Sequence, residues 1–125
     1  MSIQIKDIAF VGHPVTDVQR ARNFYQQILG LKPAAVVDFK DGNWWIEYEF
    51  NQGTLAISNL WPPSGNGGAT TAFEVADIEA ALAHLRSQGV TIANEMIDTP
   101  VCRLFGIQDP DGNDITIHQH KPSQA

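Results

Sequence analysis

"FVGHPVTDVQRARNFYQQILGLK", residues 10–32, is the stretch on which the fold turns, because the chain states it twice. Its second form is "TAFEVADIEAALAHLRSQGVTI", residues 71–92. Each has a short apolar strand, then Val-x-Asp, then a helix of about twelve residues, then glycine. Asp17 and Asp77 stand where a carboxylate accepts the first orphan N–H groups of a helix. Val18, Ala21, Tyr25 and Ile28 recur at helical spacing, as do Ile78, Ala81, Leu82 and Leu85. Gly30 and Gly89 fall where a helix ends on a left-handed residue. The two aspartates are 60 residues apart, so each half of the chain is one copy.

The segments after the two helices are also alike. After Gly30 come "AAVVDFK", "WWIEYEF" and "TLAISNL", separated by the turn signals "DGN" and "NQG", which read as hairpins. After Gly89 come "VTIANEM", "VCRLFGI" and "DITIHQH", and "DPDGN" separates the last two. The expected fold is α+β, one domain over residues 1–125 built from two strand–helix–three-strand modules, 5–60 and 70–120. The linker is "WPPSGNGGA", residues 61–69, whose prolines and glycines block helix and ladder alike. One half makes a curved mixed sheet with a helix on one face and nothing on the other. Two halves covering each other are expected to leave a central cleft for a ligand, against the faces away from the helices.

Composition narrows the function. A chain of 125 residues with 43% hydrophobic and 18% charged residues can bury a real core. Eight Lys+Arg against fourteen Asp+Glu give −6 at pH 7. With no basic run, nucleic acid and anionic membrane surfaces are not expected partners. The single cysteine, Cys102, excludes an internal disulfide and fits a reducing compartment. The opening "MSIQIKDIAF" lacks the pattern of a secretory signal, and no apolar run reaches membrane-spanning length, so the expected location is cytoplasmic.

The paired modules, with "V-x-D…FY…LGL" (Val15, Asp17, Phe24, Tyr25, Leu29, Gly30, Leu31) and "DPDGN-x-I" (Asp109 to Asn113, then Ile115), resemble the vicinal oxygen chelate superfamily. Glyoxalase I, extradiol dioxygenases and the bleomycin- and fosfomycin-resistance proteins belong to it. These motifs are caps and turns, so the resemblance specifies fold well and chemistry poorly. It implies a homodimer. In members with metal chemistry it also implies one divalent ion held from four positions. Here those positions hold Phe10, Ile57 or a near neighbour, Thr70 and Thr116. Phenylalanine cannot coordinate, and threonine hydroxyls are weak donors beside imidazole and carboxylate. No metal and no other cofactor is therefore expected at these positions. A divalent ion survives only in a rearranged site, for example one built from His118, His120 and Glu47.

Strand alternation sorts the remaining candidates. Thr116, His118 and His120 share the face opposite Ile115 and Ile117. His118 is either a cavity-lining donor or general base, or a solvated strand-end residue. His13 falls on the Val11/Val15 side, away from Phe10, and reads as a structural or edge residue; His84 reads as a helix residue that points to solvent or packs at the helix end. Trp44 and Trp45 must point to opposite faces, and if Ile46 and Tyr48 follow Trp44, then Glu47 follows Trp45. That row either lines the cleft or faces solvent. Trp61 is either part of the cleft mouth or a packing anchor. Glu74 is either a cleft carboxylate or the ion-pair partner of Arg103. Cys102 reads as a buried inert thiol. The favoured function is binding of a flat, amphipathic or cationic small molecule by Phe10, Trp45, Glu47, Thr70, Thr116 and His118, as in the bleomycin-resistance branch. The alternative is a glyoxalase- or dioxygenase-type lyase or oxidoreductase, with a rearranged metal or with metal-free proton transfer by Glu47 or His118.

Overall fold

Asp17 opens the first helix by accepting the Arg20 N–H at 3.0 Å, and Asp77 opens the second by accepting that of Ala80 at 3.1 Å. Both helices run into a glycine with positive φ, Gly30 at 79° and Gly89 at 76°, a conformation that costs residues with a Cβ. The computed structural model describes residue 4 and residues 8–64, 69–100 and 102–122. The expected strand start at 5–7, the linker stretch 65–68 and Val101 lie outside the described residues.

The elements in order are β1 (Val11–Pro14), α1 (Val18–Arg22), β2 (Ala35–Asp38), β3 (Trp44–Phe50), β4 (Gly53–Ser58), β5 (Thr71–Glu74), α2 (Ile78–Ser87), β6 (Ile92–Asp98), β7 (Cys102–Gln108) and β8 (Asp114–His120). The chain falls into two compact units, Met1–Pro62 and Pro63–Ala125. Each has an open four-stranded mixed sheet, ordered β1-β4-β3-β2 in the first and β5-β8-β7-β6 in the second. In each sheet the first strand pairs in parallel with the last, and the other pairings are antiparallel.

The duplication extends to register. Val11 lies opposite Leu55 and Pro14 opposite Ser58; Thr71 lies opposite Ile115 and Glu74 opposite His118. Phe10, Gly12 and Ala56 of the first unit thus correspond to Thr70, Ala72 and Thr116 of the second. Pro14 and Ser58 correspond to Glu74 and His118.

In the first unit the helical face of the sheet buries Val15, Ile46, Tyr48, Leu55 and Ile57 beneath Val18, Ala21, Phe24 and Tyr25. Tyr25 stacks on Tyr48 with centroids 5.9 Å apart and meets the edge of Phe24 at 5.1 Å. Its hydroxyl lies 2.7 Å from Nδ1 of His13, so His13 is structural, as its strand position predicts. The expected regular helix differs from the observed one. After Arg22 it widens into a π-helix over Asn23–Ile28, with the Leu29 N–H reaching the Phe24 carbonyl at 3.0 Å. The wider turn lets the consecutive Phe24 and Tyr25 both enter the core.

In the second unit Phe105, Ile107, Ile115 and Ile117 form the buried row, with Ile78 and Leu85 from α2. The Gln119 side-chain carbonyl accepts the Ile78 N–H at 2.8 Å and ties the start of α2 to the sheet. Arg103 pairs with Glu79 at the same helix start. The buried Cys102 thiol sits 3.2 Å from the Thr99 hydroxyl. His84 is exposed on α2, the solvent-facing one of its two readings.

Two predictions arise from this framework. Tyr48 is 1% exposed, and burial pushes its phenol up to about 12 from an ordinary value of 10.0. A raised folded-state pKa means that the unfolded chain ionises first. The Tyr48 contribution is therefore complete below pH 10 and is lost as pH rises toward about 12. Denaturant titrations at successive pH values should show stability falling across that window, with a shallower fall in Tyr48→Phe. The second concerns the "DPDGN" turn. Asp109 is 4% exposed, and its Oδ1 accepts the N–H groups of Asp111 and Asn113, both at 2.9 Å. Its Oδ2 accepts from the Asn113 side-chain amide at 2.7 Å. Asp109→Ala orphans these donors and should cost about 1–3 kcal/mol, read from urea midpoints at unchanged slope.

Candidate functional site

Each sheet has a second face, away from its helix, and the candidate residues lie there. On the first unit this face is aromatic. The backbone of β3 sends Ile46 and Tyr48 to the core and Trp45 and Glu47 the other way, as alternation requires. Trp45 meets the ring of Phe10 edge-on, centroids 5.0 Å apart at 89°, and meets Trp61 at 6.2 Å and 44°. The Trp45 indole N–H donates to Glu47 Oε2 at 2.8 Å, which fixes both side chains on one surface. Opposite Trp45 and Glu47 on β4 stand Ser58 and Ala56, small residues that give the indole room.

Trp61 lies over β1 at Gly12. A Cβ built there would come within 3.0 Å of Trp61 Cη2 and 3.5 Å of the Phe10 ring. Glycine at 12 is therefore what allows the two rings to close over the strand. Phe10 keeps 44% and Trp61 37% of its surface exposed. The result is a surface of edge-on and tilted rings carrying one carboxylate, suited to a flat apolar or cationic group.

On the second unit the same face is polar. Thr70 and Thr116 share a hydrogen bond of 3.1 Å between their hydroxyls. Two of the four positions that usually hold metal ligands therefore lie together and bond each other. Two residues further along, Glu74 Oε1 lies 2.6 Å from His118 Nδ1, and Glu74 Oε2 accepts the backbone N–H of His120 at 2.8 Å. These contacts, that from the His120 backbone first and that from His118 second, hold the Glu74 carboxyl below its ordinary range. The His118 and His120 rings meet edge-on at 4.7 Å. Such a carboxylate–imidazole pair can orient a base or supply metal donors.

The residues expected at the site divide accordingly: Phe10, Trp45 and Glu47 come together on the first unit, and Thr70, Thr116 and His118 on the second. Ile57 is turned into the core and Ala56 and Ser58 to the opposite side of their strand, where both are buried, and neither can replace a carboxylate ligand. The residues at the usual metal positions therefore do not fit a divalent ion. Of the two readings of Glu74, the ion pair with Arg103 is not what forms: Arg103 pairs with Glu79 and Glu74 with His118. Sequence reasoning missed the Glu74–His118 pair because it arises from parallel register across 44 residues, which no local pattern announces. It also missed the seat of Trp61 on Gly12, for which a glycine inside a strand was the available signal.

Comparison with known proteins agrees with this architecture. TnmS3, an antibiotic binding protein from Streptomyces sp. CB03234, is 26% identical, with 96% of this chain and 100% of that chain covered and a TM-score of 0.78. A glyoxalase/bleomycin resistance protein from the same organism is 28% identical over 89% of this chain and 98% of that one, with a TM-score of 0.74. A superfamily member from Sphaerobacter thermophilus shares the fold at 21% identity and a TM-score of 0.74, with 92% and 98% covered. No curated protein matches the sequence. Among the described residues, no helix is long and apolar enough to cross a membrane. The family description Glyoxalase/Bleomycin resistance protein/Dioxygenase superfamily matches residues 7–117, nearly the whole of both modules, and the chain belongs to that superfamily.

Proposed function

We propose that this chain is a binding protein for a flat, amphipathic or cationic small molecule, which it holds on the Phe10–Trp45 surface and sequesters. The observation that carries the reading is the Trp45 indole, edge-packed by Phe10 and clamped to the Glu47 carboxylate at 2.8 Å. A ring system laid on this surface would gain stacking contact, and a positive charge would gain Glu47. The antibiotic-binding neighbour at 26% identity supports a small-molecule ligand. Pairing of two copies, implied by family membership, is part of the same proposal, and sedimentation velocity measures it.

Proflavine, a planar aromatic cation, and acridone, a neutral planar analogue, are suitable probes. Titration of each, followed by tryptophan emission and checked by calorimetry, should show saturable binding, with proflavine the tighter. Glu47→Gln should weaken proflavine roughly 2- to 5-fold and leave acridone unchanged. If neither probe alters the emission or releases heat, the aromatic surface is a packing feature and the proposal fails.

A further inference from the structure

The second unit offers donors where the family's usual positions do not. Parallel pairing of β5 with β8 sets Glu74 opposite His118, and alternation along β8 puts His120 on the same face. One donor atom from each of Glu74, His118 and His120 lies within 4.8 Å of the other two. We propose that these three residues form a site for a divalent transition-metal ion, separate from the positions held by Phe10, Ile57, Thr70 and Thr116.

Four features support it. Two imidazole nitrogens and one carboxylate oxygen are the donor set of zinc, cobalt, nickel and iron(II) sites, whereas calcium and magnesium prefer oxygen alone. The Glu74 carboxylate is already oriented by the backbone N–H of His120 through its second oxygen, so it need not be ordered by the ion. Glu74 Oε1 and His118 Nδ1 already lie 2.6 Å apart, so the fold itself brings the carboxylate and one imidazole together. The fold does not require these groups, because the equivalent pair in the first unit is Pro14 and Ser58. Three protein donors would leave coordination positions for water or a ligand oxygen.

The test uses untagged, metal-stripped full-length protein and zinc chloride and cobalt chloride as probes. Calorimetry should show one ion per chain with a dissociation constant in the micromolar range or tighter. Cobalt should add visible absorption bands of a low-coordinate nitrogen/oxygen site. Glu74→Gln and His118→Ala should each weaken zinc at least about tenfold. His84→Ala, on the exposed side of α2, and Thr116→Val should leave zinc binding unchanged. Circular dichroism confirms that each variant is folded, and Glu74→Gln keeps a hydrogen-bonding side chain if His118→Ala does not fold. The proposal is overturned if neither ion binds, if Thr116→Val removes binding while Glu74→Gln does not, or if His84→Ala lowers affinity as much as Glu74→Gln.

Discussion

Trp45→Ala is expected to weaken proflavine binding about 10- to 100-fold, the worth of one aromatic stacking platform at roughly 1–3 kcal/mol. The loss stems from how the surface is assembled. Trp45 is the member that touches both other rings, Phe10 at 5.0 Å and Trp61 at 6.2 Å, and it also anchors Glu47. Its removal takes away the platform, the wall that holds Phe10 and the donor that aims the carboxylate. Trp44 projects to the other side of β3, so Trp44→Phe should leave the affinity within about twofold. Calorimetry on both variants makes the comparison. Equal losses in the two would mean that general loosening of β3, and not a lost binding platform, explains the effect.

Tyr25→Ala should destabilise the protein by about 4 kcal/mol, the range for truncating a fully buried aromatic residue. Tyr25 is 0% exposed and holds three neighbours at once: it stacks on Tyr48, meets Phe24 edge-on and hydrogen-bonds His13. Tyr25→Phe separates the terms. It keeps the ring and removes the 2.7 Å hydroxyl contact with buried His13, and should cost about 1–2 kcal/mol. Equilibrium urea unfolding of both variants, with unchanged slopes, reads the difference. A Tyr25→Phe variant as stable as the parent would show that the His13 contact contributes nothing.

Much of this arrangement is legible in the amino-acid sequence, for reasons tied to particular residues. Asp17, Asp77, Gly30 and Gly89 mark helix ends because capping and left-handed closure are local demands that one residue satisfies. Trp45 and Glu47 are placed together by alternation alone. The π-helical stretch is not legible, because the residues that select it, Phe24 and Tyr25, do so by what they meet across the core. The sequence leaves Glu74 open between a cleft carboxylate and a partner of Arg103, because the strands that carry the two residues both flank β8. Parallel register then gives His118 to Glu74, while Arg103 turns to the helix side and Glu79. The pair Thr70 and Thr116 comes together where the two motifs place it, since each motif sits at a fixed offset from one of two strands that pair in parallel.

The parallel pairing within each unit also bears on how the chain finds its structure. Among the described residues no strand leaves its own sheet, and the longest strand pairing in either one joins residues 44 positions apart, such as Glu74 with His118. Closing a loop of that length costs only about 0.6 kcal/mol more than closing one half as long. The conformational search is thereby confined to about half the polypeptide at a time, but each half must close a parallel first-to-last strand pairing, and non-local pairing of that kind is the slow step of folding.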